Sequence, residues 1–269
     1  MLKLILVCQL LPLLLIAFGS AAVAKPPQAS EIVAVVGDRL MVQKGNHRQE
    51  TAQIGHRLEN PSQSLIVPGN NQSLARLVLV GDRQTYDGLI LQTGPASQQT
   101  TYRFPCVVEG GSITLSWQKG DQRGCAQGIQ IQPAPAAILA LQAFAYRLLL
   151  GPDNPLANPK QKSFVIEPSG KTPICVRVST KGDRQIVEVL WGEITLRSAQ
   201  NTEGIKITKG IQYDQGQLTF FTPETRLNSP EMQTFFSTTT WSAGNRDSTY
   251  FPGLQKHIEG IRTAFTPAQ

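Results

Sequence analysis

The sequence predicts a mainly β protein, a sandwich or β-roll of short strands, on three observations. Short apolar segments recur from Glu31 onward at roughly ten-residue spacing, with Gly, Pro, Asn and Asp between them. Ser112 to Trp117 and Ile129 to Gln132 alternate apolar and polar residues, which suits a sheet with one wet face. Charged residues make up only 16% of the chain, and Gln, Ser, Thr and Asn take their place, as in exported β-rich proteins rather than disordered ones. The 269 residues suffice for one large domain or two modest ones.

The N-terminus comes first. Met1-Leu-Lys3 gives a basic start, Leu4 to Phe18 is an almost unbroken apolar run, and Ala22-Val23-Ala24 offers the small residues that a signal peptidase needs. Lys25-Pro26-Pro27 follows and is unfit to continue a helix. Residues 1–24 are therefore expected to be a cleaved signal peptide, which makes the mature chain periplasmic or secreted. A retained membrane helix would need a longer apolar stretch. Cys8 lacks the small residues that precede a lipidated cysteine.

Strands are expected at Ile32 to Val36, Leu40 to Gln43, Leu65 to Val67, Ala75 to Val80, Leu89 to Gln92, Ser112 to Trp117 and Ile129 to Gln132, forming an N-terminal β region over 25–134. Residues 135–162 hold a helix and a linker. Ala136 to Leu150 is rich in helix formers, apolar nearly all round, and stops at Gly151-Pro152. It is too short to span a bilayer comfortably, so burial between the two β regions is expected, with docking against a partner as the alternative. The proline-punctuated stretch from Asp153 to Lys162 is the best boundary. Strand signals resume over 163–225, at Ser163 to Ile166, Ile174 to Ser179, Gln185 to Leu190, Glu193 to Arg197, Ile205 to Thr208 and Gln217 to Phe221. The tail, 226–269, reads as irregular and closes with a short amphipathic helix from Gly253 to Phe265.

The formal charge of +6 is spread along the chain without a basic run. Such a field admits an anionic envelope polymer or a peripheral membrane contact, and export removes the chain from nucleic acid. Three cysteines remain after cleavage. Cys106 and Cys125 flank a hairpin-like segment, and a bond between them would stabilise by about 3 kcal/mol on the chain-entropy model. Three buried free thiols are the competing reading, and Cys175 lies in a strand where it is more a core residue than a reactive one. No C-x-x-C pair offers zinc or redox chemistry a foothold.

Phe164-Val-Ile166, the run Ile186-Val-Glu-Val-Leu-Trp-Gly192-Glu-Ile-Thr-Leu196, and Ile205-Lys-Ile-Thr-Lys-Gly210-Ile-Gln-Tyr213 together resemble the periplasmic FecR-type domain of bacterial envelope sensors. Val35-Val-Gly37, Gly55 to Leu58 and Ser73 to Leu79 are similar to the leading half of the same family. Gly192 and Gly210 stand where successive strands must turn or pass closely. The family's usual G-T-x-F step is replaced by Cys175-Val-Arg-Val178. Its regulators also continue into a membrane helix and a tail that touches a sigma factor, and neither is legible in this sequence. The resemblance implies a β fold and an envelope location, not transmembrane signalling.

No catalytic set assembles from spacing. Of three histidines, His47 and His56 lie in polar turns, while His257 and Glu259 sit two apart on the expected terminal helix and point apart. Ser116-Trp-Gln-Lys119 satisfies S-x-x-K, but the serine belongs to a strand alternation rather than a helix start, and Lys171-Thr172-Pro173 is not K-T-G. No phosphate-cradling glycine loop and no metal or cofactor motif is present. Trp191, Trp117 and Tyr213 are candidate contact residues for a protein or sugar. In a straight strand Trp191 would share a face with Val187 and Val189, leaving it only if the turn at Gly192 begins early. The expected function is non-catalytic binding, sensing or structure in the envelope, with a protein or polysaccharide partner. A hydrolase acting on glycan or peptide, or a subunit of a larger surface or secretion assembly, is the alternative.

Overall fold

The computed structural model describes residues 29–45, 48–81, 86–118, 125, 128–133, 163–170, 172–181, 184–198, 201–237, 240–241 and 250–265. The expected signal peptide, the Ala136 to Leu150 helix, the 153–162 connector, His47 and Lys119 lie outside them. The strands in chain order begin with β1 (Ala29–Val36), β2 (Met41–Gln43), β3 (Gln49–Thr51), β4 (Arg57–Leu58), β5 (Ser64–Val67) and β6 (Leu74–Val80). Next come β7 (Tyr86–Thr93), β8 (Thr100–Arg103), β9 (Val107–Glu109), β10 (Ser112–Trp117), β11 (Ile129–Gln132) and β12 (Phe164–Pro168). The last are β13 (Ile174–Lys181), β14 (Arg184–Trp191), β15 (Glu193–Ser198), β16 (Asn201–Thr208), β17 (Ile211–Asp214) and β18 (Gln217–Phe220). Three helices follow: α1 (Pro223–Leu227), α2 (Pro230–Phe235) and α3 (Phe251–Phe265).

These strands form two nine-stranded sheets. Sheet 1 runs β18-β17-β14-β13-β10-β7-β6-β1-β4, and sheet 2 runs β16-β15-β12-β11-β9-β8-β5-β2-β3. Pairing is antiparallel except between β9 and β11. The chain lays one or two strands in one sheet, crosses, and lays the next in the other. Both sheets therefore grow in the same direction, with early strands at one end and late strands at the other. Strands on either side of the expected boundary pair directly, β10 with β13 and β11 with β12, so the regions before and after it share both sheets and one core.

Alternation decides what each sheet buries. β12 and β11 send Phe164, Ile166, Ile129 and Ile131 inward while Val165 and Gln130 stay half-exposed, so sheet 2 has one wet face. Inside, these residues meet Leu77, Leu91, Leu115, Val176 and Val189 of sheet 1. Every residue of β10 is buried, because sheet 1 is covered on its outer face as well. There Val33, Val78, Ile90, Cys175 and Leu190 pack against Phe235, Trp241, Tyr250, Leu254, Ile258 and Ile261. The last three of these, with His257, recur at three- and four-residue steps along α3, the helical period.

Several expectations need correction. The Cys106–Trp117 segment is not a hairpin: β9 lies in sheet 2 and β10 in sheet 1, so Gly110-Gly111 is a crossing between layers. Both glycines have positive φ, and a Cβ on Gly111 would fall 1.8 Å from the Thr100 hydroxyl oxygen. The described part of the tail is helical from the start, since α1 and α2 begin at Pro223 and Pro230, each with proline in its first turn. Trp191 does leave the face of Val187 and Val189, but the cause is a β-bulge. Val176 pairs with Val189 and Cys175 with Trp191, so Leu190 is the extra residue. Gly192 (φ 77°) and Gly210 (φ 81°) do turn the chain, and a Cβ on Gly192 would meet the Pro173 carbonyl oxygen at 2.6 Å.

Cys106 and Cys125 form a disulfide with their Cα atoms 5.8 Å apart. It ties the β8–β9 turn to the segment entering β11. Cys175 is a free thiol, fully buried on the outer face of sheet 1, and burial pushes its pKa far up.

Candidate functional site

Among the described residues four large apolar side chains are exposed, Val36 (48%) and Ile54 (46%) near the early strands and Leu218 and Phe220 on the last strand, and Phe220 is by far the most open. The segment from Ile211 to Phe220 alternates on either side of Gln215-Gly216, whose φ values of 49° and 95° build a two-residue primed turn. The register follows: Asp214 pairs with Gln217, Tyr213 with Leu218, Gln212 with Thr219 and Ile211 with Phe220. Directly opposed residues share a face. Ile211 and Tyr213 pack against the inter-sheet core, so Leu218 and Phe220 also lie on the inner face of sheet 1. Yet Leu218 is 50% and Phe220 89% exposed.

Alternation along the hairpin also sorts the backbone. Asp214 and Gln217 bracket the two-residue turn as a hydrogen-bonded pair, and the Phe221 N–H donates to the Gly210 carbonyl at 2.9 Å. Residues 217, 219 and 221 therefore turn their N–H and C=O groups toward β17, whereas Leu218 and Phe220 turn theirs outward along an edge that no described strand covers. Arg184 holds the hairpin to β14 through Asp214. Lys209 pairs with Glu224 at 2.8 Å and lies over the Trp191 ring, 4.8 Å from its centroid. Its hydrogen bond keeps the Glu224 carboxyl below the usual pKa.

The three candidate contact residues do not come together. Tyr213 is half-buried on the inner face beside Leu218. Trp191 is half-buried on the opposite face of the same sheet. Trp117 is buried in the inter-sheet core. Leu218 and Phe220 were missed, because a strand segment reading Gln-Leu-Thr-Phe carries no sign of standing at an edge.

Sequence spacing also could not join Ser116 to His257, 141 residues apart. Their Oγ and Nε2 atoms lie 3.2 Å apart under α3. A serine–histidine pair activates a nucleophile only where a substrate can reach the hydroxyl. Ser116 is fully buried, and its hydroxyl donates to the Ile174 carbonyl at 2.9 Å. No carboxylate orients the imidazole among the described residues, and Nδ1 finds no hydrogen-bond partner there. Burial lowers the His257 pKa to about 4, so the ring is neutral. The pair gives Ser116 Oγ and His257 Nε2 a polar contact under the helix cover. Beside it, Tyr250 donates to Glu31 at 2.6 Å, and Arg76, its pKa lowered to about 10 by burial, donates to Gln92 at 3.0 Å and lies 5.7 Å from the Trp241 ring.

Sheet 2 carries two grooves of about 400 and 420 Å³. The first is lined by residues including Val165, Arg197 and Thr202, the second by residues including Gln43, Ser64, Thr101 and the Arg103–Glu109 ion pair. Neither offers an exposed aromatic platform. Among the described residues, no three His, Cys, Asp or Glu side chains gather to hold a metal ion, and no helix is long and apolar enough to cross a membrane. Comparison with known proteins gives no match to a family model, a curated protein or a solved structure.

Proposed function

We propose that this chain is an exported, FecR-like envelope protein that acts without catalysis, engaging an extended protein segment by strand addition at β18. One observation carries the reading. An uncharged edge strand presents unpaired backbone groups and two uncovered inner-face residues, Leu218 and Phe220, at the open end of the sandwich. Strand addition draws affinity from main-chain hydrogen bonds and specificity from alternate side chains, and β18 offers both. The stretch that resembles the FecR-type domain runs from β12 to β18 and so contains this edge. The Lys3-to-Ala24 pattern supports export. Ser116 and His257 are closed to substrate, which removes that pairing from a hydrolytic role.

The test is to titrate the isotope-labelled protein with extended peptides that alternate apolar and polar residues, and in parallel to incubate it with peptidoglycan and exopolysaccharide. Saturable binding with amide shifts confined to Gln217–Phe221 and its neighbours is expected, with no product from either polymer. Turnover of a polymer, or peptide binding that leaves β18 unshifted, overturns the proposal.

A further inference from the structure

The geometry points to a second copy of this chain as the occupant of β18, joined by an isologous, antiparallel β18–β18 pairing centred on Thr219. This inference rests on the strand-addition reading and adds the identity of the partner. Three observations select it.

The edge is self-compatible. Four sheet edges end the sandwich, and three carry charge: Glu50 on β3, Arg57 on β4, and Glu203 with Lys206 on β16. β18, Gln217-Leu-Thr-Phe220, has no charge, no proline and no bulge, the features with which edges ordinarily repel their own kind. The ion pairs beside it, Arg184–Asp214 and Lys209–Glu224, are each internally neutralised. Two copies can approach without like charges meeting on the strand.

One register pairs both apolar residues at once. Antiparallel partners must share a face, so Leu218 and Phe220 can oppose only inner-face residues. Opposing Leu218 to Phe220 of the second copy does this twice by symmetry. Those two residues are also the ones whose N–H and C=O groups point outward, so the pairing forms four backbone hydrogen bonds and strands no outward group. Thr219 then faces its own counterpart across the two-fold axis, at a non-hydrogen-bonded position on the outer face. A slip of one residue would set either Leu218 or Phe220 against Thr219 and break both conditions, and a slip of two would leave only one of them opposite its own kind.

The apolar surface is covered by the same step. Leu218 and Phe220 of each copy become cross-strand neighbours, about 5 Å apart at Cβ, which is the cover the open end lacks. The strand is short, and the pairing buries less than the roughly 800 Å² per partner of a standard interface, so micromolar affinity is expected.

Sedimentation velocity of the purified protein, from about 1 to 200 μM to span that affinity, tests the pairing. The sedimenting mass should rise from that of the monomer toward twice that value with concentration. Phe220→Lys should weaken association at least tenfold while leaving the circular dichroism spectrum and melting temperature unchanged. The register has its own readout: Thr219→Cys should form a disulfide-linked dimer under mild oxidation, whereas Gln217→Cys, which faces Phe221 of the second copy, should not. A wild type that stays monomeric throughout, a dimer indifferent to Phe220→Lys, or cross-linking at 217 in place of 219 overturns the inference. A monomer that still binds an extended peptide at β18 removes only the second copy as occupant. A monomer that binds none removes the strand-addition reading as well.

Discussion

The two ends of the sandwich are built from the same kind of strand and finish differently. At the early end, β4 contributes only Arg57 and Leu58, yet Leu58 is fully buried, and Ala52, Leu40 and Val42 close the core beside it. Charge guards the rim: Lys44 pairs with Glu50 at 2.9 Å and holds that carboxyl below the usual pKa, while Arg57 lies 3.6 Å from Glu31. At the late end, Leu218 and Phe220 occupy inner-face positions with little over them. An apolar residue placed on the correct face of a correct strand is thus core at one end and surface at the other. Position in the sheet order, not local pattern, makes that difference.

Truncation should expose it most sharply. Leu58→Ala should lower the unfolding free energy by about 3 kcal/mol, because it leaves a cavity among packed neighbours. Chemical denaturation would measure this, and a loss under about 1 kcal/mol would show that the early end is not closed. The disulfide comes next. Replacing Cys106 with Ser should cost about 3 kcal/mol on the loop-entropy account, in the same denaturation experiment. A stability equal to that of the parent would mean the bond does not constrain the chain.

The cover over sheet 1 predicts a pH dependence of similar or smaller size. His257 is neutral in the fold with its pKa lowered to about 4, whereas an unfolded histidine titrates near 6.5. Its contribution is complete above about pH 6.5 and declines as pH falls, because only the unfolded chain takes up the proton until about pH 4. The slope is about 1.4 kcal/mol per pH unit. His257→Gln, which keeps a hydrogen bond to Ser116 within reach, should flatten the stability profile between those limits. An unchanged profile would locate the acid sensitivity elsewhere. The smallest effect belongs to the open end: Phe220→Ala should shift the stability of the dilute protein by less than about 0.5 kcal/mol, as for exposed residues generally. A loss comparable to that at Leu58 would mean Phe220 is covered.

Much of the fold was legible because alternation and turn residues are local. β10 and β11 could be read from apolar residues at every second position, and Gly192 and Gly210 from the need to turn. Non-local features were not. The bulge at Leu190 moves Trp191 across the sheet, and no residue in the strand marks it. The layer crossing at Gly110-Gly111 looks like a hairpin turn, since glycine serves both. Ser116 and His257 meet only because α3 folds back over strands laid down far earlier. Tyr213 was a candidate contact from its residue type alone. Its neighbours Leu218 and Phe220 could be chosen only once sheet 1 was seen to end at β18.

Hydrogen exchange along β18 tests the free edge most directly. In dilute protein, the amides of Leu218 and Phe220 should exchange quickly while those of Thr219 and Phe221 are protected by β17. On raising the concentration, the first two should slow and the second two should not change. Leu218 and Phe220 amides already protected at the lowest concentration, or exchanging freely at the highest, would contradict an edge held open for a second strand.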